Sequence, residues 1–329
     1  MTAAPLQVLV VSLGATSGLR AADEQFAQSL RRAGAEVRVA VARRPREVRT
    51  FALTDLAWAL AARSAARSAL AQRPADAVVY SSVTAALGWV RPGAIRFDAP
   101  ARANRPGRHG VWQRPLERRR LREAPVLIPW SAAAASEAGP CADPARVVVL
   151  PVAVQASGPA AATRDIAAIS YIANPYKKGT DRVLAAWRQA RRAGEELILA
   201  GAELDVREPG VRVAGRLAPA AYRALVRRAR VFVCAPRRED YGLAQLEALA
   251  DGCRLVTSFA PGPYVALELA RTLDPRLVGD DLAAALRLAL DAPPDDYAAR
   301  ARGLLAPFAP EAVDAVVAQR LLDRLRAIG

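Results

Sequence analysis

The chain is poor in the side chains on which much small-molecule chemistry depends. Of its 329 residues one is histidine, three are cysteine, and among 47 basic residues only Lys177 and Lys178 are lysines. Cys141, Cys234 and Cys253 lie far apart, without CxxC spacing or a neighbouring histidine, so neither a zinc site nor a disulfide framework is indicated. No DxD motif offers carboxylates for a metal-bridged diphosphate, and no metal or other cofactor is expected. GxGxxG is also missing, and the strand at Val37–Val41 leads into Arg43-Arg44 rather than an acid, which weighs against a dinucleotide oxidoreductase. No apolar run approaches the roughly 18 residues of a membrane span. The first residues lack a charged n-region and run into a strand ending at Gly14, so they do not read as a signal peptide. A cytoplasmic location is the expectation.

What is abundant is Ala and Arg. A hydrophobic fraction of 53% over 329 residues suffices for two cores. The net charge of +15 is unevenly shared: residues 1–157 carry +11 and residues 158–329 carry +4. The excess is densest from Arg91 to Arg122, with ten Arg against Asp98 and Glu117. That stretch suits an anionic partner or a solvated face equally. Where Arg is otherwise used everywhere, adjacent lysines suggest that a compact, flexible ammonium is wanted, or that two codons survived by chance.

Short apolar runs alternate with helix-period stretches. Strands are expected at Leu6–Leu13, Val37–Val41, Ala77–Tyr80, Ile95–Phe97, Val126–Ile128 and Val147–Leu150, with helices at Ala22–Ala33, Phe51–Arg73 and Gln113–Arg122. After the turn-rich Gln155–Thr163 the pattern restarts. Strands are expected at Ile166–Ile172, Leu197–Ala200, Val211–Val213, Val231–Cys234 and Leu255–Thr257, with helices at Thr180–Arg192, Pro219–Arg228, Leu243–Ala250 and Asp281–Leu290. A last amphipathic helix covers Glu311–Ile328. Such alternation predicts an α/β protein of two Rossmann-like, doubly wound parallel-sheet domains facing a cleft. The expected domains are residues 1–157 and 158–309, with the helix 310–329 packing back towards the first.

The chemistry concentrates at two strand-to-helix corners of the second domain. In Arg237-Arg-Glu-Asp-Tyr-Gly-Leu-Ala-Gln-Leu-Glu, Glu239 lies in a loop, Gly242 opens a helix and Glu247 lies inside it. Two carboxylates can accept sugar hydroxyls, and free helix N–H groups between them suit phosphate oxygens. The same spacing at Glu195 and Glu203 brackets a strand, so that pair cannot share a ligand. The other corner is Tyr171-Ile-Ala-Asn-Pro-Tyr-Lys-Lys-Gly-Thr-Asp, with Lys178 just before Gly179.

The run from Glu239 to Gly252 resembles the donor motif of retaining family 4 glycosyltransferases of the GT-B fold, and the likeness extends from about Ile166 to Leu290. Val213-Ala-Gly-Arg-Leu and Ala229-Arg-Val-Phe-Val resemble the segments leading to that motif. The resemblance implies a metal-independent hexosyltransferase using a nucleotide-diphosphate sugar. Glu239 would hold donor-sugar hydroxyls, Glu247 the ribose, and amides near Gly242 and Leu243 the sugar or pyrophosphate. Lys178 would neutralise the leaving diphosphate, with Tyr241, Asn174 and Arg216 completing the donor set. Many relatives carry an Arg about five residues before that lysine; Ala173 and Asn174 stand there, so a second cation must come from elsewhere.

The first domain is less explicit. Gly14-Ala-Thr-Ser-Gly18, a turn able to lie against the sugar phosphate of the donor, resembles the glycine-containing first loop of these transferases or is an ordinary tight turn. On the acceptor side relatives often carry a His; here the candidates are Asp98, which can orient a hydroxyl or cap a turn, and the lone His109. Arg114–Arg122, with Trp112 and Trp130 nearby, resembles basic helices of peripheral relatives and suggests contact with an anionic membrane. The acceptor is unnamed. A donor-binding accessory protein without transfer activity is the alternative reading, and nucleic acid is not expected, since charge alone suggests it.

Overall fold

The computed structural model describes residues 4–45, 50–105, 107–159, 161, 163–292 and 296–328. They form two compact units, Met1–Ala153 with Pro310–Gly329, and Val154–Ala309.

In the first unit β1 (Gln7–Ser12) leads into α1 (Ser17–Arg32), then β2 (Glu36–Val41) into α2 (Phe51–Gln72). α1 begins earlier than its apolar spacing suggests, because the Thr16 side chain accepts the Leu19 N–H and caps it. The chain continues through β3 (Ala77–Tyr80), α3 (Val83–Leu87), β4 (Ala94–Phe97), α4 (Ala101–Asn104), α5 (Gln113–Glu123), β5 (Leu127–Pro129) and α6 (Ala132–Ala138). The sheet order is β2-β1-β3-β4-β5, and every pairing is parallel. Alternate residues of the strands feed opposite faces: Leu9, Val11, Val78 and Ile95 enter one core, while Val8, Val10 and Val79 enter the other. Val147–Leu150 is not a ladder strand as expected: beside β5 it forms one bridge, Leu127 to Val147, and the N–H groups of Val148 and Leu150 donate to Leu127 O at 2.8 Å and Pro129 O at 2.9 Å. Pro129, at the end of β5, has no N–H to return a bond.

The second unit runs β6 (Ile166–Tyr171), α7 (Thr180–Ala190), β7 (Leu197–Ala200), β8 (Val211–Gly215), α8 (Pro219–Arg228), β9 (Ala229–Cys234), α9 (Leu243–Ala250) and β10 (Arg254–Thr257). Then come α10 (Val265–Leu273), α11 (Leu282–Asp291) and α12 (Tyr297–Leu304). α10 and α12, nine and eight residues long, are absent from the sequence reading. The sheet order β10-β9-β6-β7-β8 is again all parallel. The turn-rich stretch after Pro151 is pinned to this unit, since Ser157 N and Oγ donate to Asp251 Oδ1 at 2.7 and 2.9 Å.

From Pro310 the chain forms α13 (Pro310–Val316), a π-helical turn at Val317–Leu321 and α14 (Leu322–Arg326). Val313, Val317, Leu321 and Leu325 join the core beneath α1. The expected single helix is therefore interrupted. The wider turn inserts one residue, so that Leu321 and its neighbour Leu322 are both buried.

Strand order locates the ligand-binding position of each sheet. In the second unit successive connections leave β6 in one direction and reach β9 on its other side, so β6 and β9 flank the switch point, where the loops at their carboxyl ends part. In the first unit β1 and β3 do the same.

Candidate donor-binding site

The β6–α7 loop is a preformed turn. Asn174 Oδ1 accepts the Lys177 N–H at 2.9 Å, and Asn174 O accepts that of Lys178 at 2.9 Å. Asn174, expected among the donor contacts, thus has its side-chain oxygen occupied in shaping the loop. Gly179 has φ +64, and a Cβ there would stand 1.8 Å from Ala235 O, so only glycine lets this loop lie against the end of β9. Arg237 N donates to Lys177 O at 2.9 Å and ties the two loops together.

Across this junction Lys178 Nζ meets Glu239 Oε2 at 2.5 Å. Both side chains are largely buried, 19% and 8% exposed, so the pair is far better insulated than a surface salt bridge. Gln245 Nε2 reaches the same Oε2 at 3.2 Å and also donates to Tyr264 OH at 3.2 Å; Tyr264 OH in turn lies 2.9 Å from Thr257 Oγ1. Burial pushes the Tyr264 phenol well up, keeping it neutral in this network. The Lys178 and Gln245 bonds both fall on Oε2, and no hydrogen bond to Glu239 Oε1 is formed among the described residues.

The backbone at Gly242 follows the same logic. It has φ +92, and a Cβ would press within 2.8 Å of the Tyr264 ring. As the residue opening α9 it leaves the N–H groups of Leu243, Ala244 and Gln245 without intrahelical acceptors. Leu243 is half-buried beside it, and Tyr241 is buried at 3% exposure.

Lys177 was singled out in the sequence, but its partner Asp240 and the neighbouring Arg238 were not. Asp240 accepts from Lys177 Nζ at 3.0 Å and from Arg238 Nε at 2.7 Å. Burial alone would raise its carboxyl, but the ammonium and guanidinium outweigh burial and hold it below the usual range. Lys177 and Arg238 thus bring two more cations into the loops that carry Lys178 and Glu239, both paired with Asp240. The signal was available, since both flank the motif residues.

Glu247 points into a different cluster. Arg223 on α8 reaches Glu247 Oε1 at 3.2 Å and Asp251 Oδ2 at 2.6 Å. Burial, with Asp251 adding to it, pushes the Glu247 carboxyl up although Arg223 opposes. Glu239 and Glu247 share α9 and the loop before it, each with its own basic partner. Arg223 carried no sequence signal, being one arginine among many. Arg216 is exposed just past β8, two strands from β6. Among the described residues no group of three His, Cys, Asp or Glu side chains forms a metal ligand set.

In the first unit Gly14 turns at φ +58, its N–H bonded to Ser12 Oγ at 3.1 Å. Gly18 lies in the first turn of α1, with open space where a Cβ would be. Beneath them is a buried cluster that sequence reasoning did not find: Asp23 accepts from Ser12 (2.5 Å), Ser81 (2.8 Å) and Arg96 (3.1 Å). The Arg96 guanidinium stacks over Phe26 and Trp130, 5.1 and 4.6 Å from their centroids. Trp130 is thus buried and does not face a membrane. Asp98 Oδ1 caps the Ala99 N–H at 2.8 Å. His109 falls in the short turn Gly107–Gly110, and its side chain lies outside the described residues. Much of the basic stretch is engaged internally. Arg91 binds the carbonyls of Ala75 and Asp76, Arg105 binds Asp55, and Arg120 binds Leu87 O and Glu123 while lying over Trp89.

Residues 163–291 match the family model described as Glycosyl transferases group 1. A search of curated protein sequences found no match. Solved structures with similar folds include sucrose-phosphate synthase from Thermosynechococcus elongatus (TM-score 0.70, 15% identity, 99% of this chain and 100% of that one). Another is Anabaena HepE in complex with UDP and glucose (TM-score 0.69, 13% identity, 97% and 100%). A third is WaaG, a glycosyltransferase involved in lipopolysaccharide biosynthesis (TM-score 0.62, 15% identity, 95% and 99%). Among the described residues no helix is long and apolar enough to cross a membrane. Residues 163–291 of the second unit are thus similar to glycosyl transferases group 1, and the two parallel-sheet units have the fold of GT-B glycosyltransferases.

Proposed function

We propose that the protein is a retaining glycosyltransferase that takes its sugar from a nucleotide-diphosphate donor without a metal ion. The observation that carries this reading is the Lys178–Glu239 pair at the β6/β9 switch point, in the domain matched to glycosyl transferases group 1. Glu239 Oε1 accepts donor-sugar hydroxyls while Lys178 and Gln245 hold the other oxygen in place. The sugar and diphosphate lie against the open N–H groups at Gly242 and Leu243, beside the buried Tyr241. Glu247, held by Arg223, accepts the ribose hydroxyls, and Arg216 and the Asn174 loop border the nucleotide.

In the transfer step the C1–oxygen bond to the diphosphate breaks as the acceptor oxygen bonds C1 on the same face. The acceptor proton passes to the departing phosphate oxygen, so no strong protein base is needed. Negative charge grows on that phosphate, where the fixed ammonium of Lys178 stabilises it most, with Lys177 nearby. Gly14 and Gly18 belong with the donor contacts, and Asp98 and His109 with the acceptor side. HepE, of similar fold, was crystallised with UDP and glucose, which supports a nucleotide-sugar ligand here.

Calorimetric titration with UDP-, GDP- and ADP-sugars tests the donor, with one base expected to bind and binding lost in Glu247→Ala. No heat with any of them refutes the proposal. Donor hydrolysis without acceptor separates an enzyme from a binding-only accessory protein.

A further inference from the structure

Most described arginines of the first unit find carbonyls or carboxylates, but Arg20, Arg43, Arg67, Arg108 and Arg320, like three others, make no side-chain hydrogen bond or ion pair to another described residue. Those three are Arg102, Arg118 and Arg122, all exposed, and what sets them apart is their place. All three line one cavity of about 200 Å³ between α4, α5 and the turn after α6. Their neighbours on α5 behave differently: Arg114 binds the carbonyls of Arg105 and Gly107, and Arg119 binds Glu123.

The cavity also contains Glu117, but its carboxylate is already satisfied. It accepts the backbone N–H of Ala101 at 2.5 Å and of Arg102 at 3.1 Å and makes no hydrogen bond to the three guanidiniums; burial raises its carboxyl, and the Arg118 charge acts against that rise. Pro140 and Cys141 close one wall. Gly139, at φ +62, has no Cβ, so Arg102 Nη1 lies 3.1 Å from where one would stand and reaches over the end of α6. Three exposed arginines without an acceptor among the described residues line a space several times the roughly 30 Å³ of a water molecule. It is smaller than the about 300–1,000 Å³ of pockets that enclose drug-sized ligands. That excludes a whole nucleotide sugar and suits a compact anion.

We propose that this cavity is a binding site for a small phosphate-bearing ligand, inorganic phosphate or a phosphate monoester, held by Arg102, Arg118 and Arg122. Guanidinium forks match phosphate oxygens two at a time, which chloride cannot exploit. The site is independent of the donor reading, needs no nucleotide, and is tested without one.

The full chain is titrated with inorganic phosphate and with glycerol 3-phosphate at constant ionic strength, with chloride as the control anion. Saturable binding is expected for the phosphates and not for chloride. Arg118→Ser and Arg122→Ser should each weaken it about tenfold, whereas Arg119→Ser, on the same helix but outside the cavity, should leave it unchanged. Circular dichroism confirms that each variant is folded, and Arg118→Lys, keeping charge but losing the fork, should restore part of the affinity. Sedimentation with phosphatidate vesicles separates sources: pelleting abolished by the same substitutions identifies a lipid headgroup, and no pelleting identifies the soluble ester. Equal responses to phosphate and chloride, or unchanged binding in the Arg118→Ser/Arg122→Ser double variant, would overturn the proposal.

Discussion

The ammonium of Lys178 lies 2.5 Å from the Glu239 carboxylate, joining the loops that leave β6 and β9. Two residues 61 positions apart in sequence thereby form one unit. A ligand with both hydroxyls and phosphates can separate their tasks, engaging the carboxylate through the sugar and the ammonium through the leaving group.

Substituting Lys178 should therefore act on the transition state more than on binding. Lys178→Ala is expected to lower kcat by about 100- to 1,000-fold while donor affinity falls far less. Single-turnover kinetics beside calorimetry read the two separately; equal losses in both would assign the lysine to ground-state binding.

Glycine at 179 is required by contact and by dihedral angle. Gly179→Ala puts a methyl 1.8 Å from the Ala235 carbonyl oxygen at φ +64 and should cost at least about 1–3 kcal/mol. Gly18 has neither constraint and lies in a helix, so Gly18→Ala should stabilise by about 0.5–1 kcal/mol. Urea unfolding midpoints check the contrast, which reverses if the β6–α7 loop does not lie against β9.

Asp240 should leave a mark in acid. Its carboxyl is held below the usual range in the folded protein, so its contribution is complete above the unfolded value near about 3.9. It is lost as pH falls through the lower folded value. Asp240→Asn is expected to cost about 1 kcal/mol at pH 7 and to flatten the fall in stability below about pH 4. Denaturant titrations from pH 7 to pH 3 measure both.

The three thiols should be inert in the native state. Cys141, Cys234 and Cys253 are all buried, and burial pushes the Cys253 thiol up to about 12 and raises Cys234. An aromatic disulfide reagent should label none at pH 8 until denaturant unfolds the chain. Fast labelling of any thiol would contradict the packing around it.

The parallel α/β architecture was legible because buried parallel strands read as short apolar runs and their covering helices carry a 3.6-residue period. The corner at Glu239 and Gly242 was legible for a related reason: a strand, a loop carboxylate and a helix-opening glycine are consecutive in sequence. α10 and α12 were hidden because, at nine and eight residues, they are too short for a 3.6-residue period to stand out. The buried Asp23–Arg96 cluster was hidden because its members come from α1, β1, β4 and the residue after β3.

By itself, then, the sequence determined the alternation of strands and helices, the two glycine-opened corners and the identity of Lys178, Glu239 and Glu247. Tertiary structure alone decided the partnerships. It set Lys178 on Glu239, gave Glu247 to Arg223, tied Lys177 and Arg238 to Asp240, and left three arginines facing a cavity. The physical reason is range. Backbone periodicity and turn chemistry act over a few residues and are written locally, whereas charge pairing depends on which strands become neighbours in the sheet. In a chain with 45 arginines, composition alone cannot say which of them finds a carboxylate.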